Sequence, residues 1–363
     1  MDMSSTQNPM EGPGFSDNSS ASAIIEQAKT LGNWKEAGHL WSYIDEDLQA
    51  EGAEHVSLIA RKAAVLMRSE CCKVDFPRII SWQLPEDVVA HLAIPYIEDN
   101  NRAHYLDVFA PADANAERLY PVVIDDHGGG FVYGLRELNR SFAMHLAHRG
   151  FVVVVPSYRP GPRHNFAEML TDLSQAYAWT KENIASFGGD TSKLFLTGDS
   201  AGGCMALYSS QIENSVEMSE KTGVPQAGID IKGLLLVCGV YDLTACMSTK
   251  PTGNVLDGFK KEIFQTVREG FEQYSKTDNV LAAAPLPPVF INTAEDDFLH
   301  DENVQLAERL EKLGVECELD DARTSESGEL GHVYVVGLAT HPRSQETLDK
   351  MAAFMTRVIT ETD

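Results

Sequence analysis

The sequence predicts an α/β fold: a mostly parallel central sheet with helices on both faces and a helical cap. Two observations carry this. Short, continuous apolar runs at 121–124, 151–155, 194–196, 232–238 and 288–292 alternate with helix-like stretches at 139–148, 166–184, 201–212 and 303–313. Strands that lack polar alternation are buried on both faces, as in parallel sheets. The chain also has the size for it. Its 363 residues, 43% hydrophobic and 23% charged, suffice for one large domain with a cap, or for two domains.

Taken in order, residues 1–20 are polar and rich in Ser, Asn, Gly and Pro, the composition of a disordered lead, and show no secretory signal. Residues 21–75 carry only helical spacing: Ile24, Ile25, Ala28 and Leu31, then Leu40, Trp41, Ile44 and Leu48, then Ile59, Ala63 and Leu66. We assign them to the N-terminal part of a cap, with Trp34 and Trp41 in its core. Residues 80–244 form the first part of the α/β core. It opens with strands at 88–97 and 103–109, joined by the turn Glu98-Asp99-Asn100-Asn101. Residues 245–285 break the alternation, with Phe259, Ile263, Val267 and Phe271 at helical spacing, and read as a cap insertion over the strand ends. Residues 286–363 return to the core, with a last strand at 315–319 and a last helix at 345–359 whose Leu348, Met351, Ala352, Met355 and Ile359 share one side.

The bulk chemistry narrows the partners. A net charge of −25 with no offsetting basic cluster argues against nucleic acid and anionic membranes. No apolar stretch approaches the ~20 residues of a membrane span, so no stable membrane insertion is expected. Cys71, Cys72, Cys204, Cys238, Cys246 and Cys317 form no CxxC pair and no zinc spacing, which reads as reduced thiols in a cytoplasmic protein. A homodimer stays open.

Two glycine-rich turns carry the chemistry. Gly198-Asp199-Ser200-Ala201-Gly202-Gly203 follows one apolar run and precedes a helix pattern. A sharp strand-to-helix turn exposes a serine, the flanking glycines avoid clashes, and the helix N-terminus favours negative charge. His127-Gly128-Gly129-Gly130-Phe131 closes an earlier apolar run. Its glycines let backbone N–H groups point at a developing oxyanion, with Ala201 as a further donor. Gly128, Gly129 and Ala201 are the expected oxyanion hole. A phosphate-cradling loop is the competing reading, but no GK[ST] follows. His127 reads as a brace for its loop.

With these residues in hand, the chain resembles the hormone-sensitive-lipase-like family of α/β-hydrolases. The shared motifs are His127 to Phe131, Tyr158-Arg159, Phe187-Gly188-Gly189-Asp190 and Gly198 to Gly203. The likeness covers roughly residues 85–360. It implies an α/β-hydrolase fold with a helical cap and ester hydrolysis without cofactor. The family's acid stands two residues before a Leu, with a second Asp two beyond it. Asp297 fits, with Leu299 and Asp301 in place, and Glu295 and Asp296 are alternatives. No metal is expected there, because the loop offers no His or Cys in ligand register. The family's base is a histidine near the chain's end, which His332 matches; His341, beside Pro342, is the competitor. The order Ser…Asp…His is that of this fold.

The chain departs from the family at Val333, where Phe is usual, in the long polar loop 322–330, and at Asp125 and Asp126, where apolar residues are commoner. We read those two acids as hydrogen-bonded and structural, and His300 as a surface residue. The expectation is a serine esterase for a small or medium carboxylic ester: Ser200 as nucleophile, His332 as base and Asp297 as the orienting acid. The alternatives are a non-hydrolytic enzyme (cyclase or lyase), a small-molecule receptor, and a lactonase or amidase. A receptor is expected to have lost a triad member, and all three candidates are present.

Overall fold

The computed structural model describes residues 20–253 and 255–362; the disordered lead expected at 1–20 lies almost wholly outside the described residues. The sheet has eight strands: β1 (Val88–Pro95), β2 (Tyr105–Pro111), β3 (Tyr120–Asp126), β4 (Val152–Pro156), β5 (Gly189–Asp199), β6 (Ile231–Val237), β7 (Val289–Ala294) and β8 (Cys317–Ala322). Their order across the sheet is β1-β2-β4-β3-β5-β6-β7-β8. β2 runs antiparallel to both β1 and β4, and every other pairing is parallel. The expected α/β architecture is thus the one observed.

Eight helices matter below: α1 (Ala23–Leu31), α2 (Leu58–Ile80), α3 (Arg140–Ala147), α4 (Phe166–Asn183), α5 (Ala201–Asn214), α6 (Val216–Thr222), α7 (His300–Lys312) and α8 (Pro342–Thr362). Successive strand residues point to opposite faces, and both faces are covered. On β5, Leu194 and Leu196 join a core with Leu170, Leu173, Leu207 and Leu306 from α4, α5 and α7. Phe195 joins a second core with Phe142, Leu146, Leu348 and Met355 from α3 and α8. This is why the middles of the central strands, such as Val122-Val123-Ile124 and Leu194-Phe195-Leu196, are apolar on both faces.

The first core continues into the N-terminal helices and the 244–281 segment. There Phe131, Phe166, Phe264 and Phe271 stack edge to face or tilted, at centroid distances of 5.2–5.7 Å. The two segments also touch each other: a Cβ on Gly258 would meet the Ala63 methyl at 2.4 Å. The buried face of α2 differs from the expected one. Ile59 and Leu66 are exposed, while Ala60, Ala64, Arg68 and Cys72 are buried. A guanidinium in the middle of the buried face hides it from hydrophobic periodicity.

Candidate active site

The site stands at the carboxyl ends of the parallel strands, where loops after β3, β5, β7 and β8 converge. Ser200 links β5 directly to α5 and is held at φ +53, ψ −115. An L-residue at that φ is strained. The surroundings impose it: the Ser200 N–H donates to the Val237 carbonyl at 2.8 Å, and glycines clear the turn. A Cβ on Gly202 would sit 1.8 Å from the Asp126 carbonyl oxygen, and one on Gly198 would sit 2.4 Å from the Gly202 backbone.

His332 brings two candidates together. Its Nε2 lies 2.9 Å from Ser200 Oγ, and its Nδ1 lies 2.9 and 3.0 Å from the two Asp297 oxygens. With Nδ1 facing a carboxylate, the Nδ1–H tautomer leaves Nε2 free to accept from the serine hydroxyl. Burial pushes the Asp297 carboxyl up, but the His332 hydrogen bond and charge, aided by the Leu299 N–H at 2.7 Å, hold it below its usual range. Cys238 lies under this pair, fully buried, with its thiol pushed well up by burial and by Asp297. The Cys238, Asp297 and His332 donor atoms lie within 4.8 Å of one another. The exposed Phe298 ring leans on the His332 ring at 4.3 Å.

The three neighbouring acids separate by partner. Asp296 accepts from the Leu330 and Gly331 N–H groups, both at 2.9 Å, and so fastens the segment leading to His332. Glu295 accepts from the Thr324 N–H and hydroxyl. Only Asp297 reaches His332. Asp301 faces solvent, and His300 lies within 3.1 Å of Asp321 and 3.4 Å of Asp301. His341 Nδ1 accepts from the Arg343 N–H at the start of α8. His127 is buried, stacked on Tyr158 at 4.3 Å, and held down to about pKa 4 by burial, as suits a neutral brace. Trp41 is buried and donates to Tyr133 Oη at 2.8 Å, while Trp34 is partly buried with Lys73 over its ring.

One expected donor is corrected. The Gly128 N–H donates to Asp199 Oδ1 at 2.9 Å, so it is already engaged and not open to an oxyanion. The acceptor is the side chain of the residue that precedes the serine, buried against the anion loop. The N–H groups of Gly129, Gly130 and Ala201 have no acceptor among the described residues. Gly130 stands in the same glycine run but lies outside the expected set. Two further residues were missed. Asn139 donates to both Asp125 and Asp199, and Met67 of α2 lies where a Gly130 Cβ would meet its methyl at 2.5 Å. No local pattern marks either one.

A family model for the α/β-hydrolase fold matches residues 123–328, more than half of the chain. The chain belongs to the α/β-hydrolase family. An esterase from the bacterial hormone-sensitive lipase family shares this fold, superposing with a TM-score of 0.59 at 18% identity over 84% of this chain and 99% of that one. A carboxylesterase, NlhH of Mycobacterium tuberculosis, is 30% identical over 233 residues, 60% of this α/β-hydrolase and 69% of the relative. An isoprenylcysteine α-carbonyl methylesterase of Arabidopsis thaliana is 28% identical over 225 residues, 59% of this chain and 51% of the relative. The chain thus spans about half the length of that plant relative. Among solved structures, phosphonate-inhibited esterase B from Lactobacillus rhamnosis superposes with a TM-score of 0.77 at 25% identity, covering 84% of this chain and 96% of that one. No helix among the described residues is long and apolar enough to cross a membrane.

Proposed function

We propose that this α/β-hydrolase cleaves a small or medium carboxylic ester through an acyl-enzyme. The observation that carries the reading is the hydrogen-bonded line from Asp297 through His332 to Ser200 Oγ, all at 2.9–3.0 Å, beside three unengaged backbone N–H groups. In the first step His332 Nε2 takes the Ser200 proton as Oγ bonds to the acyl carbon, and the carbonyl π pair moves onto oxygen. The N–H groups of Gly129, Gly130 and Ala201 receive that oxyanion, with the N-terminus of α5 behind them. Asp297 holds the imidazole tautomer and stabilises the imidazolium. His332 then gives its proton to the departing alcohol oxygen as the C–O bond breaks. Water, deprotonated by His332, attacks the acyl-serine, and collapse of the second oxyanion frees the acid and restores the serine proton.

The named activities of the relatives, a carboxylesterase and a methylesterase, support an ester over other acyl compounds. As part of the same proposal, residues 21–75 and 245–285 act together as the cap, and the buried free thiols suit a reducing, cytoplasmic setting. The test is Ser200→Ala. Wild-type protein is expected to hydrolyse p-nitrophenyl esters of short acids and to label with a fluorophosphonate, and the variant to do neither while keeping the wild-type circular dichroism. Full turnover in Ser200→Ala sinks the reading.

A further inference from the structure

Behind the anion loop lie three buried carboxyl groups that the proposed reaction does not use. Asp125 and Asp126 close β3, and Asp199 closes β5; the first two are fully buried and the third is 6% exposed. None makes an ion pair among the described residues. Asp126 turns to the opposite face of the sheet, where Tyr177 Oη donates to it at 2.5 Å. Asp125 and Asp199 converge on one atom, Asn139 Nδ2, which lies 3.2 Å from both Asp125 oxygens and 2.9 Å from Asp199 Oδ1. The same Asp199 oxygen receives the Gly128 N–H. Asp199 therefore has two donors on one oxygen, while among the described residues Asp125 has only long, shared contacts to the same amide.

Two like charges at one buried site do not both form readily, and one group holds its proton to higher pH. The charged groups around the pair do not change this. From α2 and from the loop after β8, Arg78 and His332 act on Asp199 only at a distance. Tyr158 faces Asp199 from the segment after β4, and the neighbouring Asp126 adds repulsion to Asp125. Burial and the Asp199 charge both favour the protonated form of Asp125.

We propose that Asp125 and Asp199 share a single proton beside Asn139, and that its loss sets the alkaline limit of turnover. With the proton present, Asp125 is neutral and Asp199 is the carboxylate that anchors Gly128. The next two peptide units, Gly129 and Gly130, are then held with their N–H groups free. When the proton leaves, two negative charges stand behind the oxyanion and repel it, and they also push Asp199 off its anchor. Asp125 is thus a positioning residue acting through Asp199 and Gly128. This inference rests on the ester-hydrolase reading, because the limb it explains is a limb of that reaction.

The experiment is the pH dependence of kcat and KM for a p-nitrophenyl ester in wild type, Asp125→Asn and Asp126→Asn. Wild type is expected to lose kcat on the alkaline side with KM little changed. Asp125→Asn keeps the shape of the neutral form and has no proton to lose, so its alkaline midpoint is expected to rise by more than one pH unit. Asp126→Asn, on the other face, is expected to leave the midpoint in place. A limb that stays put in Asp125→Asn, or moves equally in Asp126→Asn, overturns the proposal. An infrared titration reads the proton without activity. In Asp126→Asn protein a buried protonated-carboxyl band is expected to persist at neutral pH and to bleach at the alkaline midpoint, and its absence overturns the proposal. Should wild type turn over no ester, the hydrolase reading fails while this titration still decides the shared proton.

Discussion

Arg68 is where the N-terminal helices grip the core, and its removal gives the sharpest test of how that attachment works. The guanidinium is fully buried on α2, and all five of its N–H groups are donated. Nε serves the Val132 carbonyl at 2.7 Å. Nη1 serves Ile44 O and Asp47 Oδ1, and Nη2 serves Asp47 Oδ2 and Gly161 O, at 2.6–3.2 Å. One side chain thus joins α2 to the chain at 44–47, to the segment after the anion loop, and to the loop after β4. Arg68→Met keeps the stem and strands a buried carboxylate. Breaking such a pair costs about 3–5 kcal/mol, and each of the three carbonyls losing its donor adds roughly 1 kcal/mol. That is a large part of a stability that is typically about 5–15 kcal/mol. We expect Arg68→Met to shift denaturant unfolding by about 4 kcal/mol or more, and to open residues 23–80 to hydrogen exchange. The double variant Arg68→Met/Asp47→Leu removes the orphaned charge and is expected to recover about 2–3 kcal/mol of the loss. A single variant within about 1 kcal/mol of wild type, or a double variant no better than the single, would refute the reasoning.

Asp297→Asn turns an acceptor into a donor facing His332 Nδ1 and favours the wrong tautomer; kcat is expected to fall by about 10⁴, measured as steady-state ester turnover. Gly202→Ala drives a Cβ to 1.8 Å from the Asp126 carbonyl, between two rigid backbones; the expected result is insoluble protein or a large loss of melting temperature, and a normally melting variant would contradict the geometry. Acid sensitivity follows from Asp297. Burial acts to raise its pKa, but His332 holds the native value below the ordinary one, so its stability contribution is full above the ordinary aspartate pKa and is lost as pH falls through the lower native value. Melting curves across the acid range should accordingly drop more steeply for wild type than for Asp297→Asn.

Much of this was legible along the chain. The strand order needs the tertiary structure, but the existence of the strands does not: the middle of a strand covered on both faces is apolar at successive positions, and Leu194-Phe195-Leu196 presents such a run to both cores. Ser200 was legible because a strained turn needs glycine in fixed places, and Gly198 and Gly202 are those places. His332 and Asp297 were legible through order and resemblance, and Glu295 and Asp296 remained rivals because adjacent carboxyl groups look alike in one dimension.

What the sequence determined by itself is local: apolar periodicity, the glycines a tight turn demands, and the chain order of chemically special groups. What only the tertiary structure decided is pairing. It assigned Gly128 to Asp199 and left Gly129 and Gly130 open, gave Asp296 to the loop and Asp297 to His332, buried Arg68 in the middle of an otherwise apolar helix face, and set Cys238 and Asn139 beside groups far away in sequence. Hydrogen bonds and ion pairs join residues tens to more than a hundred positions apart, and such partners leave no periodic trace in the chain. They exist only once the sheet has brought the loops together.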